Sequence, residues 1–269
     1  MGREKRRGRG PAVWAGPGPR KMAVMILNLA AYHFVRIDDP DSLAGELHES
    51  AEVGGLRGTV LVAGEGLNLF LAGPEDRVQA FLARLRVDPR FADIAVKFSR
   101  SRSQPFGRLK VKVKPEIIAF RRDGASPLAG RAATVAPFEL ARWIEQGHDD
   151  QGRRLVLLDT RNREEIAYGT FAGALTLPID NFTELPDALM PHREGLADAT
   201  VVSFCTGGIR CEKAALFLQA DGMDNVLQLD GGILGYFAQV GGAGYEGRCF
   251  VFDARTALDP ELQALVDPG

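Results

Sequence analysis

The spacing of apolar residues changes repeatedly along this chain, and each change marks an element. Residues 23–35 are almost continuously apolar and predict a strand. Asp38, Asp39, Asp41 and Ser42 around Pro40 are helix-start residues, so 43–53 is predicted as a helix that Gly54 and Gly55 end. Residues 58–63 and 67–72 read as strands joined by a turn at 64–66. A helical period returns over 74–86, where Val78, Phe81, Leu82 and Leu85 share one face, and 94–98 reads as a fourth strand. After a polar loop at 100–107, Leu109-Lys110-Val111-Lys112-Val113-Lys114 alternates strictly. In a strand, period two sends the lysines to one face and the apolar residues to the other.

The order strand–helix–strand–strand–helix–strand is that of a ferredoxin-like (split βαβ) α+β sandwich, which places a first domain at 22–122. Residues 123–134, rich in Gly, Ala and Pro, read as a linker. From 135 to 245 helices alternate with strands. The predicted helices are 136–146, 162–167, 211–220 and 233–239, with helical turns over 181–189. The predicted strands are 155–158, 176–179, 200–204 and 225–229. This alternation predicts a doubly wound parallel α/β domain, whose ligands sit at the carboxyl ends of the strands. Residues 246–269 are expected to add a C-terminal strand, around Cys249-Phe250-Val251-Phe252-Asp253, and a tail.

Composition agrees with two soluble domains: 269 residues, 45% apolar, 25% charged, formal charge −2. No run approaches the roughly 18 to 20 apolar residues that cross a bilayer, so no membrane partner is expected. Arg20-Lys21 ahead of residues 22–31 imitates a secretory signal, but Asn28 interrupts the apolar run and favours a strand. The three cysteines, at 205, 211 and 249, make no disulfide framework and fit a reducing, cytoplasmic setting. Neither they nor the four scattered histidines have zinc-ligand spacing, so no metal is expected. His33 reads as a packed or surface residue.

Charge is unevenly placed. Residues 1–21 carry +6, residues 97–122 carry +8, and the remainder sums to −16. The first segment is predicted to be a disordered basic tail, either touching nucleic acid or lying upstream of a start at Met22. The second contains Arg100, Arg102, Arg108, Lys110, Lys112 and Lys114. Its lysines fit two readings: protection of a sheet edge, or a stripe that binds the phosphates of RNA.

The densest chemistry follows residues 201–204, where an apolar strand stops at Cys205. Thr206, Gly207, Gly208 and Ile209 turn the backbone, Arg210 follows, and an Ala/Leu-rich helix begins. A strand, a tight loop and a helix aim main-chain amides and the helix dipole at the loop centre, which favours a thiolate at Cys205. The alternative is that Cys205 is a small buried apolar residue. Cys-x4-Arg is one residue shorter than the loop of cysteine-dependent phosphatases, and Cys211 stands where their arginine would fall. The smaller ring suits one sulfur atom carried as a persulfide. Cys211 is either a resolving thiol or a helix residue facing the core, and Cys249 is expected to be buried. Gly64-Glu65-Gly66-Leu67-Asn68 is a hairpin turn or, through Glu65 and Asn68, a substrate contact.

The string CTGGIRCEKA at 205–214 resembles the rhodanese-domain tRNA uridine hydroxylases. So do LKVKVKPEI at 109–117, LDTRN at 158–162, YGTF at 168–171, LDGGIL at 229–234 and CFVFDAR at 249–255. The resemblance implies a ferredoxin-like, acylphosphatase-like RNA-binding domain followed by a rhodanese domain. It implies oxygen-dependent 5-hydroxylation of the wobble uridine of tRNA, with molecular oxygen as co-substrate, no evident cofactor and the anticodon stem-loop as partner. Cys205 would act as thiolate or persulfide, with Arg210 beside it. Asp159 and Arg161 match the Asp-x-Arg that opens rhodanese domains and are expected to support the site rather than bind substrate. In the family, the segment after Asn68 is usually Gly-Thr, where this chain has Leu69-Phe70. The loop alone equally fits a sulfurtransferase carrying a persulfide on Cys205. A non-catalytic RNA-binding module is the third reading.

Overall fold

The computed structural model describes residues 25–266, so the basic tail expected at 1–21 and the last three residues lie outside the described residues. The first unit contains β1 (Ile26–Phe34), α1 (Pro40–Val53), β2 (Arg57–Ala63), β3 (Gly66–Pro74), α2 (Glu75–Leu85), β4 (Val96–Ser101) and β5 (Leu109–Val113). Its sheet runs β4-β1-β3-β2-β5, antiparallel except for β5, which lies parallel to β2 at the edge. The ferredoxin-like order is therefore present, with β5 added as a fifth strand of the same sheet. The predicted polar loop at 100–107 begins too early, because β4 extends through Arg100 and Ser101.

One face of this sheet is buried. Leu27, Leu29, Ala31, Val60, Val62, Leu67, Leu69 and Leu71 meet Leu43, Leu47 and Ala51 of α1 and Val78, Phe81, Leu82 and Leu85 of α2. The helices thus cover the face that the period-two pattern makes apolar, and the opposite face is left to Tyr32, Asn68 and Phe70. Removal of that much aliphatic surface from water is the main driving force for the unit.

The second unit contains β6 (Thr134–Val135), α3 (Pro137–Gln146), β7 (Leu155–Asp159), α4 (Arg163–Ile166), β8 (Gly169–Phe171), β9 (Leu175–Thr176), α5 (Leu185–Leu189), β10 (Thr200–Phe204), α6 (Ile209–Ala220), β11 (Val226–Leu229) and α7 (Gly232–Val240). Its parallel sheet runs β6-β11-β10-β7-β9, with β10 at the centre and entirely buried. Side chains of one face pack with α5 and α6, and those of the other with α3 and α7, as in a doubly wound domain.

Within the stretch read as a linker, Ala125 and Ala132 are buried in the second unit's core, as is Phe120 just before it, which stacks on Phe182. The chain ends in β12 (Tyr245–Gly247), which pairs with β8, and a hairpin of β13 (Cys249–Phe250) and β14 (Ala257–Leu258). That hairpin spans both units: Arg248 N donates to Tyr168 O, whereas Ala254 N donates to Pro105 O and Arg255 Nη1 to Ser99 Oγ. Among the described residues, no helix is long and apolar enough to cross a membrane.

Candidate active site

β10 ends at Cys205, and the chain turns at once into α6, which starts at Ile209, two residues earlier than the sequence pattern suggests. Gly208 makes the turn at φ 101°, a left-handed conformation that side chains resist. Gly232, at the start of α7, is pressed against the same loop; a Cβ there would lie 2.5 Å from Cys205 O and 2.6 Å from Gly208 N. Behind it, Ile233 N donates to Cys205 O at 2.9 Å and Leu234 N to Thr206 O at 3.0 Å. The start of α7 therefore fixes the loop from below, a role the sequence does not announce for LDGGIL.

The Cys205 sulfur accepts the Gly208 amide at 3.1 Å and sits at the start of α6, where the helix dipole favours negative charge. Burial opposes ionisation of this thiol. The Cys211 thiol hydrogen-bonded to it, the Arg210 guanidinium, and the Arg210 and Gly208 amides outweigh burial and bring its pKa down to about 5. Burial and the bond to Cys205 drive the Cys211 pKa well up, so the pair divides into one thiolate and one thiol. Thr160 Oγ1 lies 3.7 Å from the Cys211 sulfur. Burial pushes Cys249 up to about 12.

The Arg210 side chain is buried. Because α6 begins early, its side chain turns inward and both guanidinium ends reach Glu165 of α4 at 2.6 Å. Burial works against the Glu165 carboxylate, but the Arg210 charge and hydrogen bonds hold it below its ordinary value. Thr206 Oγ1 also donates to Glu165, at 3.3 Å. Asp159 and Arg161 are wholly buried beneath this layer. Arg161 clasps Asp159 at 2.6 and 2.9 Å and caps Gly169 O at 2.7 Å, while Thr170 donates to Asp159.

The first unit roofs the loop. Lys97 Nζ of β4 donates to Gly207 O at 3.0 Å, and the Tyr32 hydroxyl of β1 donates to Glu212 at 3.2 Å. The same hydroxyl lies 2.9 Å from where a Gly208 Cβ would stand. Ile209 packs against Ala63 and Ile117. Cys205 is 0% exposed, the buried position that the sequence gives as an alternative, although its thiol is ionised.

Glu65 is engaged in that interface, and Asn68 is bonded to the segment that follows β5. Lys213 Nζ, buried on α6, donates to Glu65 at 2.8 Å, to Glu116 at 2.6 Å and to Ile118 O at 3.1 Å. Asn68 Nδ2 donates to Ile117 O. Glu212 takes Tyr32, Arg131 and Gln228 together. The sequence reading missed Tyr32, Lys97, Glu165, Glu212 and Lys213. Their partners lie too far along the chain for local spacing to show, and the only hint was that Glu212 and Lys213 fall inside the CTGGIRCEKA string.

The expected basic cluster divides in two. Arg100 shares its sheet face with Leu27 and forms a bidentate pair with Glu75 at 2.8 and 2.9 Å, on the helix side of the sheet. Lys110 and Lys112 stand opposite Thr59 and Leu61 on the other face, exposed, with Lys114 and Arg108 exposed at either end of β5. Arg102 is exposed in the bend after β4. β5 is also the sheet edge, the position that the edge-protection reading expects.

Residues 26–117 match the UPF0176 acylphosphatase like domain, and residues 138–239 match the Rhodanese-like domain. Among curated proteins, the chain is 68% identical over 243 residues to the tRNA uridine(34) hydroxylase of Xanthomonas euvesicatoria pv. vesicatoria. That match covers 90% of this chain and 98% of the relative. It is 62% identical to the protein of the same name from Xylella fastidiosa, over 91% of this chain and 95% of that one. Among solved structures, Saccharomyces cerevisiae Ygr203w, a homolog of single-domain rhodanese and Cdc25 phosphatase catalytic domain, matches at TM-score 0.34 and 20% identity, covering 40% of this chain and 80% of that one. With both domain families in order and close relatives matched over nearly their whole length, the chain belongs to the rhodanese-domain tRNA uridine(34) hydroxylase family.

Proposed function

We propose that this protein is a tRNA-modifying enzyme that places a hydroxyl on C5 of the wobble uridine, with molecular oxygen as co-substrate, in the cytoplasm. The observation that carries this reading is the low-pKa thiol of Cys205 in a loop that Lys97 and Tyr32 of the first unit reach, in a chain 68% identical to relatives of that name. A single-stranded uridine from the anticodon loop is splayed out of its stack, as single-stranded RNA recognition allows. It enters where Tyr32 and Lys97 meet the loop. Addition of the Cys205 thiolate to C6 of the uracil makes C5 nucleophilic toward oxygen; one oxygen atom stays on C5, a thiol reductant oxidised to its disulfide takes the other to water, and loss of the C5 proton expels the Cys205 thiolate and restores the ring. Arg210 and Glu165 hold the loop's shape; Cys211 supplies the proton-bearing partner that keeps Cys205 ionised.

The short loop also suits a persulfide, which supports sulfur transfer as the second reading. Mass spectrometry of tRNA nucleosides from cells with and without the gene separates the two. Loss of 5-hydroxyuridine derivatives on deletion is the expected result. An unchanged nucleoside profile together with thiosulfate-to-cyanide sulfur transfer by the purified protein would replace hydroxylation with sulfur transfer.

A further inference from the structure

β3 is the middle strand of the first sheet, and its residues are buried from Gly66 to Gly73 with one exception. The exception is Phe70, 41% exposed. It lies on the face away from α1 and α2, opposite Ala30 of β1 and Thr59 of β2. Those small neighbours leave the ring open. A lone exposed apolar residue is ordinary on a protein surface; this one is framed by charge of a single sign.

Register fixes the frame. Thr59 stands opposite Lys110, Leu61 opposite Lys112, and Arg57 opposite Ala72, all on the face that carries Phe70. Arg57, Lys110 and Lys112 are exposed, and among the described residues none of the three is paired with a carboxylate. Other cations of the segment are neutralised, Arg100 by Glu75 and Arg122 by Asp187. The face leads toward the reactive loop. Asn68, two residues along β3 from Phe70, stands opposite Tyr32, whose hydroxyl lies 2.9 Å from where a Gly208 Cβ would stand. Two strand residues and one strand spacing put the Cα atoms of Phe70 and Tyr32 about 8 Å apart.

We infer that this face is a stacking platform for a base next to the nucleotide presented to Cys205, with Arg57, Lys110 and Lys112 on the adjoining phosphates. The inference rests on the tRNA reading above and names how that substrate is held. An aromatic ring on an open antiparallel sheet stacks a splayed base, and cations flanking it take the backbone on either side. The platform also accounts for Phe70, which the inter-unit contacts leave without a structural role.

The test is binding of a fluorescein-labelled synthetic anticodon stem-loop RNA to the full chain, followed by anisotropy across a potassium chloride series. Phe70→Leu keeps an apolar side chain at an exposed position and should leave the thermal midpoint unchanged. Its affinity should fall roughly 5- to 100-fold with the same salt slope, because stacking is lost and phosphate contacts are kept. Phe70→Trp should bind at least as tightly as the unaltered protein, with the new tryptophan's emission quenched by RNA. Lys110→Ala/Lys112→Ala should instead flatten the slope of log K against log salt by about 1.4. Unchanged affinity in Phe70→Leu, with the unaltered protein binding RNA normally, overturns the platform and leaves the tRNA reading standing. Failure of the unaltered protein to bind the RNA overturns both. A Phe70→Leu chain that binds RNA normally but loses self-association in sedimentation overturns the platform as well, making the face a contact between copies.

Discussion

Replacing Lys213 with methionine removes the cation on which the two units converge. Its ammonium is 4% exposed and serves Glu65, Glu116 and Ile118 O, with the Phe34 ring 5.9 Å away. Methionine preserves most of the stem's volume, so the loss is electrostatic. It leaves two carboxylates, 15% and 24% exposed, facing one another without the charge between them. Breaking a buried pair from one side costs about 3 to 5 kcal/mol. For a chain of this size each kcal/mol shifts the midpoint by about 2 to 4 °C, so a drop of about 6 to 20 °C is expected in thermal unfolding followed by circular dichroism. The triple change Lys213→Met/Glu65→Gln/Glu116→Gln removes the stranded charges and should recover most of the loss. There is a matching pH signature. Burial opposes the Glu116 carboxylate, but Lys213 holds its pKa below the ordinary 4.5. The stability it contributes is therefore complete above that value and lost as pH falls through the lowered one, a dependence the methionine variant should flatten. A midpoint within about 2 °C of the parent would refute the claim that this cluster joins the units.

Cys205 should titrate near pH 5 in ultraviolet thiolate absorbance, with the transition absent in Cys205→Ser; a midpoint at pH 8 to 9, the ordinary thiol range, would remove the thiolate from the account. Because the folded pKa lies below the ordinary 9.0, the same group contributes stability that is complete above pH 9 and is lost as pH falls toward 5. Cys211→Ala deletes the thiol hydrogen-bonded to Cys205 and should move the Cys205 midpoint upward; an unmoved midpoint would return Cys211 to a purely packing role. Arg161→Met strands the buried Asp159 carboxylate and should cost about 3 to 5 kcal/mol in urea unfolding, whereas a loss under about 1 kcal/mol would mean the pair is dispensable.

Most elements are legible in the sequence because local spacing determines them. Leu109 to Val113 alternates and forms β5; Val78, Phe81, Leu82 and Leu85 share a helical face and are buried together. The strand–loop–helix at Cys205 is likewise local, as is the division into an antiparallel-rich unit and a parallel one. What is not legible depends on how the two units meet. Lys213 reaches Glu65 across 148 positions and Tyr32 reaches Glu212 across 180, and neither residue carries a periodic signal that names its partner. The complete burial of Cys205 is likewise set by tertiary packing, which the local strand–loop–helix pattern does not decide. Arg210 is a similar case at shorter range. One half-turn of earlier helix directs it to Glu165, a residue that the sequence marks only as part of an acidic pair with Glu164. The exposure of Phe70 is not legible either, since it interrupts an otherwise buried strand.

The central claim is that the Cys205 thiolate, enclosed between the two units, performs the chemistry on the wobble uridine. Cells lacking the gene, supplied with either the unaltered chain or Cys205→Ser at equal abundance, test it through the 5-hydroxyuridine content of their tRNA. The account predicts restoration by the first and none by the second. Equal restoration by both would contradict it.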